Sequence, residues 1–187
     1  MKRADMLQTG IAAALLFCCG AAGAEVRKTI YSCANQLCPW FQLVFTPPDG
    51  WMIDNGASLK NKVQVVVPKG ENFATAPALF YVQVFYHADK QQSLADFART
   101  SNERWQATHN AKISELAAVE RTNGKPAFLR FSFENRGKAQ QAYEVGAFGL
   151  DVDKDGNEFV LDVVLTGPSK AALDRANQDY ISFLKAH

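Results

Sequence analysis

This chain of 187 residues has few of the residues that mark an enzyme or a metalloprotein. It has three histidines, His87, His109 and His187. They lie too far apart for a zinc motif, and spacing pairs none of them with a nucleophile. Each reads as a solvated or partly buried polar residue. There is no G-x-S-x-G, no phosphate-binding glycine loop and no H-E-x-x-H. The acidic residues are too scattered to nominate a glycosidase pair. A site assembled from distant residues leaves no such trace, so these absences lower the case for catalysis without closing it. No apolar run after the N-terminus approaches the roughly 18 residues of a membrane-crossing helix. Repeats, low-complexity tracts and linkers are also missing, and the length suits one domain with a sizeable core.

Charge of one sign is missing too. The formal net charge is +1. The N-terminus explains even that small excess. Lys2 and Arg3 form a positive segment, Ile11–Phe17 is a short apolar run, and Ala22-Gly23-Ala24 is a small-x-small cleavage site. Together they match a secretory signal peptide over residues 1–24, leaving a domain over residues 25–187. An uncleaved anchor is the alternative. Phe17 before Cys18 argues against lipid attachment. Removing Lys2, Arg3 and Asp5 leaves 18 basic and 18 acidic residues. A neutral chain offers no electrostatic case for nucleic acid or an anionic membrane.

Of four cysteines, only Cys33 and Cys38 follow the cleavage site. In an oxidising compartment an even pair is expected as a structural disulfide. Free thiols, intermolecular pairing or a redox dithiol remain as alternatives. The redox reading is disfavoured because such chemistry uses C-x2-C beside a helix N-terminus, whereas Cys38 precedes Pro39 and a strand.

Periodicity then places the elements. Val26–Ser32 is a candidate edge strand. Trp40–Thr46 alternates, with Phe41, Leu43 and Phe45 on one face. Pro47-Pro48-Asp49-Gly50 ends it as a turn. Trp51–Ile53 is extended and Asp54–Asn61 reads as a polar loop. Lys62–Val67 is a strand stopped by Pro68. Ala78–His87 is apolar on both faces, as expected of a central strand covered on both sides. Ser93 caps a helix ending near His109-Asn110, with Leu94, Phe97, Ala98, Ser101 and Trp105 on its stripe. A four-stranded meander follows: Ile113–Val119, Ala127–Glu134, Gln141–Leu150 and Glu158–Thr166. Asn123-Gly124, Asn135–Lys138 and Asp151–Asn157 are its turns, with Gly146 and Gly149 as bulge points. Gly167-Pro168-Ser169 starts a last helix with Leu173, Ala176, Tyr180, Phe183 and Leu184 on its stripe. Strands in runs indicate α+β with a mainly antiparallel sheet, flanked by two helices as an α/β/α sandwich.

Phe45-Thr46-Pro47-Pro48-Asp49-Gly50-Trp51, the later Val163-Val164-Leu165-Thr166-Gly167-Pro168, and Tyr180-Ile181-Ser182-Phe183-Leu184 frame this pattern. The stretch Phe41–Leu184 resembles the PsbP-like superfamily, which includes Mog-type Ran-binding proteins and exported bacterial relatives. The resemblance implies an α/β/α sandwich and a role in binding or assembly rather than catalysis. It carries over no functional residue, and the Cys33–Cys38 loop is not part of it.

One motif could hold a metal. Asp151, Asp153 and Asp155 before Gly156 read D-x-D-x-D-G, the spacing that can wrap Ca²⁺. Asp162 falls at the twelfth position, where a bidentate Glu is usual. Glu158 at the normally apolar eighth position and strand-like flanks favour a plain polar turn. Calcium apart, no cofactor is expected. Trp51, after the P-P-D-G turn, reads as a core plug rather than an exposed anchor; Trp105 reads as core, and Trp40 opens its strand. The leading functional expectation is an exported, non-catalytic binding or assembly module. It would be periplasmic, or secreted beyond the cell, with another exported or envelope protein or a small ligand as partner. The alternatives are a hydrolase with a dispersed site and a calcium-dependent binding protein.

Overall fold

A computed structural model describes residues 25–34, 36–135 and 141–187. The proposed signal segment and the turn residues 136–138 lie outside the described residues. The elements run β1 (Glu25–Cys33), β2 (Gln36–Val44), β3 (Trp51–Ile53), α1 (Asn55–Asn61), β4 (Gln64–Pro68), β5 (Leu79–Tyr86), α2 (Leu94–His109), β6 (Lys112–Val119), β7 (Phe128–Glu134), β8 (Tyr143–Val152), β9 (Glu158–Gly167) and α3 (Lys170–Ala186). The strands form one antiparallel sheet in the order β1-β2-β5-β9-β8-β7-β6. The expected meander is its right half. The fold is the expected α+β sandwich, with α3 on one face and α2 on the other.

The core follows from β9. Phe159, Leu161, Val163 and Leu165 are fully buried beneath α3, and Val160 is equally buried beneath α2. An antiparallel strand of this composition must be covered on both faces. On the α3 side all five stripe residues, Leu173, Ala176, Tyr180, Phe183 and Leu184, are buried. The Tyr180 hydroxyl lies 2.8 Å from the Val163 carbonyl and 3.0 Å from that of Val145, so its one proton is shared between two strands. Trp51 packs at 5.0 Å on Phe80 and donates its indole N–H to Asp179, 2.9 Å away. It is a core plug whose polar edge is satisfied.

Four expectations need correction. Asp54–Asn61 is not a loop: Asp54 caps α1 by accepting the Ala57 amide, at 2.9 Å. The helix is a short one burying only Ser58, so it has too few turns to show an apolar period. The described residues therefore hold three helices. Second, β2 begins at Gln36, before Cys38, because the ladder with β1 already pairs Cys33 with Gln36. Third, Gly146 and Gly149 are not bulges, since the register against β9 runs unbroken through both, and that against β7 runs unbroken through Gly146. Glycine is required there by aromatic packing: a Cβ at Gly149 would fall 2.4 Å from the Phe128 ring, and one at Gly146 would fall 3.0 Å from Phe133. The register shift lies in the β6–β7 pair, between Leu116 and Val119. Fourth, β5 is covered on both faces over only part of its length. Phe80, Val82 and Val84 are buried under α3, whereas Phe85 on the opposite face stays exposed.

The sheet forks at β5. Its one edge is shared by β4, which pairs with Phe80–Val82, and by β2, which touches it through the single pair Phe41–Val84. The Gln64 side chain fills the notch. Its amide accepts from Leu43 N and donates to Leu43 O, both at 2.8 Å. A side-chain amide here acts as a missing strand residue, and satisfies two buried backbone groups.

Candidate functional site

The α2 face of the sheet is covered unevenly, and the site lies where cover runs out. Helix α1 and the loop before β5 pack over Val65, Val67 and Leu79. Helix α2 packs over Phe148, Val160 and Phe131. Between them a groove of 270 Å³ is open over the β1–β2–β5 corner, walled by Tyr31, Trp40 and Phe85. Strand alternation puts Tyr31, Trp40 and Phe85 on one face. Lys62, held in the left-handed region at φ 58° where α1 ends, places its ammonium 4.9 Å from the Tyr31 ring and 5.8 Å from that of Trp40. The corner is thus already a cation–π platform.

Gln83 and Phe85 also line an inner cavity of 140 Å³ beneath α2. At about 30 Å³ per water this holds the end of one side chain. Tyr81, Ser101, Asn102, Trp105, Glu144 and Asp162 contribute its polar and aromatic lining. The register explains the convergence: Asp162 stands opposite Phe148 on β8 and opposite Gln83 on β5, and Glu144 stands opposite Thr166. Burial, and then the charge of Glu144, push the Asp162 carboxyl up to about 7. Burial, and then the field of the two acids, push the Tyr81 phenol well above its usual value. Asp162 Oδ1 and Asn102 Oδ1 are buried without a hydrogen-bond partner among the described residues. Glu144 is positioned from outside: Asn135 donates to its Oε2 at 2.8 Å and accepts the Trp105 indole N–H at 2.9 Å. The arrangement is an acceptor-lined pocket beside an aromatic groove. Chemically it suits a donor-rich or cationic group, or the transfer of one proton near neutrality.

The sequence-selected residues fare differently. Cys33 and Cys38 are disulfide-bonded, Cα to Cα 5.9 Å, across the turned end of the β1–β2 hairpin. The three aspartates do not converge. Asp151 is buried on the α3 face and paired with Lys125 and Arg121. Asp153 closes the β8–β9 turn by accepting from the Asp155 and Asn157 amides, and binds Lys28 at 2.7 Å, which holds its carboxyl well below the usual range. Asp155 is exposed, with its carboxylate 3.9 Å from the same Lys28 ammonium. Among the described residues no group of three His, Cys, Asp or Glu is placed to hold a metal ion, and no helix is long and apolar enough to cross a membrane. His87 is buried against Glu158, His109 stacks on Trp105, and His187 packs against Phe45 and Phe183. Sequence reasoning missed Glu144 and Asn102 and saw Asp162 only as a distant calcium ligand. The usable signal was an acid at the centre of Phe-Val-Leu-Asp-Val-Val-Leu, a strand apolar on both faces.

No protein-family model and no curated protein matches the chain. Among solved structures it is similar to the Saccharomyces cerevisiae Ran-binding protein Mog1p. The identity is 12%, over 87% of this chain and 93% of that chain, with a TM-score of 0.44. A likeness of that degree carries no functional argument.

Proposed function

We propose that this chain is an exported binding module that grips a basic side chain of another exported or envelope protein in its α2-face cleft. The observation that carries the reading is that the groove and the cavity adjoin, sharing Gln83 and Phe85 as wall residues. An extended partner segment lies along Tyr31, Trp40 and Phe85, and its lysine or arginine reaches Asp162 and Glu144. Burying a cation needs a carboxylate partner with further acceptors, and the cavity has both. Export, to the periplasm or beyond it, rests on Lys2, Arg3, the apolar run and Ala22-Gly23-Ala24. Placement in the PsbP-like superfamily is part of the same proposal and rests on Phe45–Trp51, Val163–Pro168 and Tyr180–Leu184.

The test titrates the mature protein with lysine- or arginine-containing hexapeptides and with their glutamate counterparts, followed by amide chemical shifts. Basic peptides are expected to move Gln83, Asn102 and Glu144, and Asp162→Asn to weaken them at least tenfold. Affinity should rise with pH through about 7 as the Asp162 carboxyl ionises. No localised response to any basic peptide would sink the reading. One observation favours a second: a carboxyl pushed to about 7 beside another acid is what a general acid in a hydrolase requires. Turnover of chromogenic esters or glycosides that is lost in Asp162→Asn would replace binding with catalysis.

A further inference from the structure

A separate cleft of 680 Å³ opens at the other end of β5, between the loop before it and the junction of β9 with α3. Phe73, Leu79 and Pro168 supply apolar wall, and Thr75, Gln141 and Thr166 the polar groups. Among the described residues no Asp, Glu, Lys or Arg lines it. Its walls are preformed. Asp54, already capping α1, accepts the Phe73 amide through its second oxygen at 3.0 Å. Asn72 ties the loop to itself, its Oδ1 taking the Ala74 amide and its own amide reaching Thr75 Oγ1. The loop also presses on the strand end: a Cβ at Gly167 would meet the Pro77 carbonyl at 3.2 Å.

Thr166 gives the cleft a chemical preference. It is 2% exposed, and its Oγ1 is buried with no hydrogen-bond partner among the described residues. A buried hydroxyl left unpaired is costly, and native structures rarely keep one without a reason. We infer that this cleft is a second ligand site, taking a small neutral amphiphile whose apolar body lies on Phe73, Leu79 and Pro168 and whose one polar group pairs with Thr166 Oγ1. Its size fits small-molecule sites, roughly 300–1,000 Å³. A neutral ligand is favoured because none of the described lining residues carries a charge to compensate a charged ligand's desolvation.

The test titrates the mature protein with 1-octanol, and separately with octanoate and octylammonium, reading amide shifts and melting temperature. 1-Octanol is expected to give a saturable response at Thr75, Ala76, Thr166 and Gly167, with both charged analogues at least tenfold weaker. Thr166→Val keeps the shape and removes the hydroxyl; it should weaken 1-octanol at least fivefold while leaving the melting temperature equal or higher. Ala74→Trp, at an exposed wall position, should block binding in a folded protein. Unsaturable shifts spread over exposed apolar residues such as Ile30 and Leu37, equal binding of octanoate, or full affinity in Thr166→Val would each overturn the proposal. Glu144 of the α2 cleft stands opposite Thr166, so Thr166→Val is titrated with the basic hexapeptide as well: unchanged affinity there keeps the two sites distinct, and an equal loss for both ligands would overturn a separate second site.

Discussion

Replacing Gln64 by methionine tests whether one side-chain amide holds the forked sheet together. Methionine matches the length and flexibility of glutamine but can neither donate nor accept strongly. Leu43 is 1% exposed, so its N–H and C=O lose their partner in a place water does not reach. Each stranded group costs about 1–3 kcal/mol, and burying a thioether in place of an amide returns about 1. The expected loss is therefore about 3 kcal/mol, or a melting temperature lower by about 6–12 °C for a domain of this size. Urea unfolding followed by tryptophan fluorescence reads it directly, with an unchanged m-value showing that the unfolded state is the same. A loss under about 1 kcal/mol would refute the reasoning, because it would mean Leu43 finds other partners. Gln64→Glu adds a sign. Only the protonated acid can both accept from Leu43 N and donate to Leu43 O, so the folded-state pKa is raised. The variant should approach the wild type below about pH 4 and lose stability as pH rises through that raised value.

The raised Asp162 carboxyl gives a related slope in the wild type. Its folded pKa of about 7 exceeds the unfolded value, so stability should be highest near pH 4 and fall as pH rises to about 7. Asp162→Asn should remove that slope and be more stable at pH 8, by about 4 kcal/mol in chemical denaturation; an unchanged slope would exonerate this residue. Cys33→Ser with Cys38→Ser closes no covalent loop and should cost about 2 kcal/mol. Binding of a basic hexapeptide per folded molecule should stay the same, and its loss would give the hairpin tip a part in recognition. Millimolar Ca²⁺ should leave the melting temperature unchanged, since Asp151 is committed to Lys125 and Arg121 and Asp153 to Lys28; a saturable rise would show that the β8–β9 turn rearranges around the ion.

Much of the fold was legible because alternation and capping are local. The β7–β9 strands, the Ser93 cap and the whole α3 stripe follow from residues a few positions apart. Helix α1 did not, because a one-face period needs more turns than Asn55–Asn61 has. The glycine error came from the same limit: Gly149 is dictated by Phe128, a cross-strand neighbour that periodicity does not see. The candidate site was least legible. Glu144, Asp162 and Asn102 come from two strands and a helix, and only the β8–β9 register and the seating of α2 bring them to one cavity. The D-x-D-x-D-G run drew attention because its residues are adjacent. In the structure adjacency separates them, with Asp151 and Asp155 ending in different surroundings.

The single backbone pair joining β2 to β5 also bears on how the molecule comes apart. The β1–β2 ribbon is continuous within itself, from Glu25–Val44 to Cys33–Gln36, and its tip is closed by a covalent bond. It is attached to the rest by Val26 and Leu43 in the α3-side core, by Gln64, by the Phe41 contacts with Phe159 and Tyr86, by Lys28 on Asp153 and by Lys62 over Tyr31 and Trp40. Such a ribbon is built to lift away as an intact unit, at a lower free energy than global unfolding. Amide exchange would then show two classes, with β1 and β2 protons exchanging together ahead of β5, β8 and β9. Each lifting event would expose the free edge of β5, so the fastest route to self-association would run through this corner rather than through full unfolding.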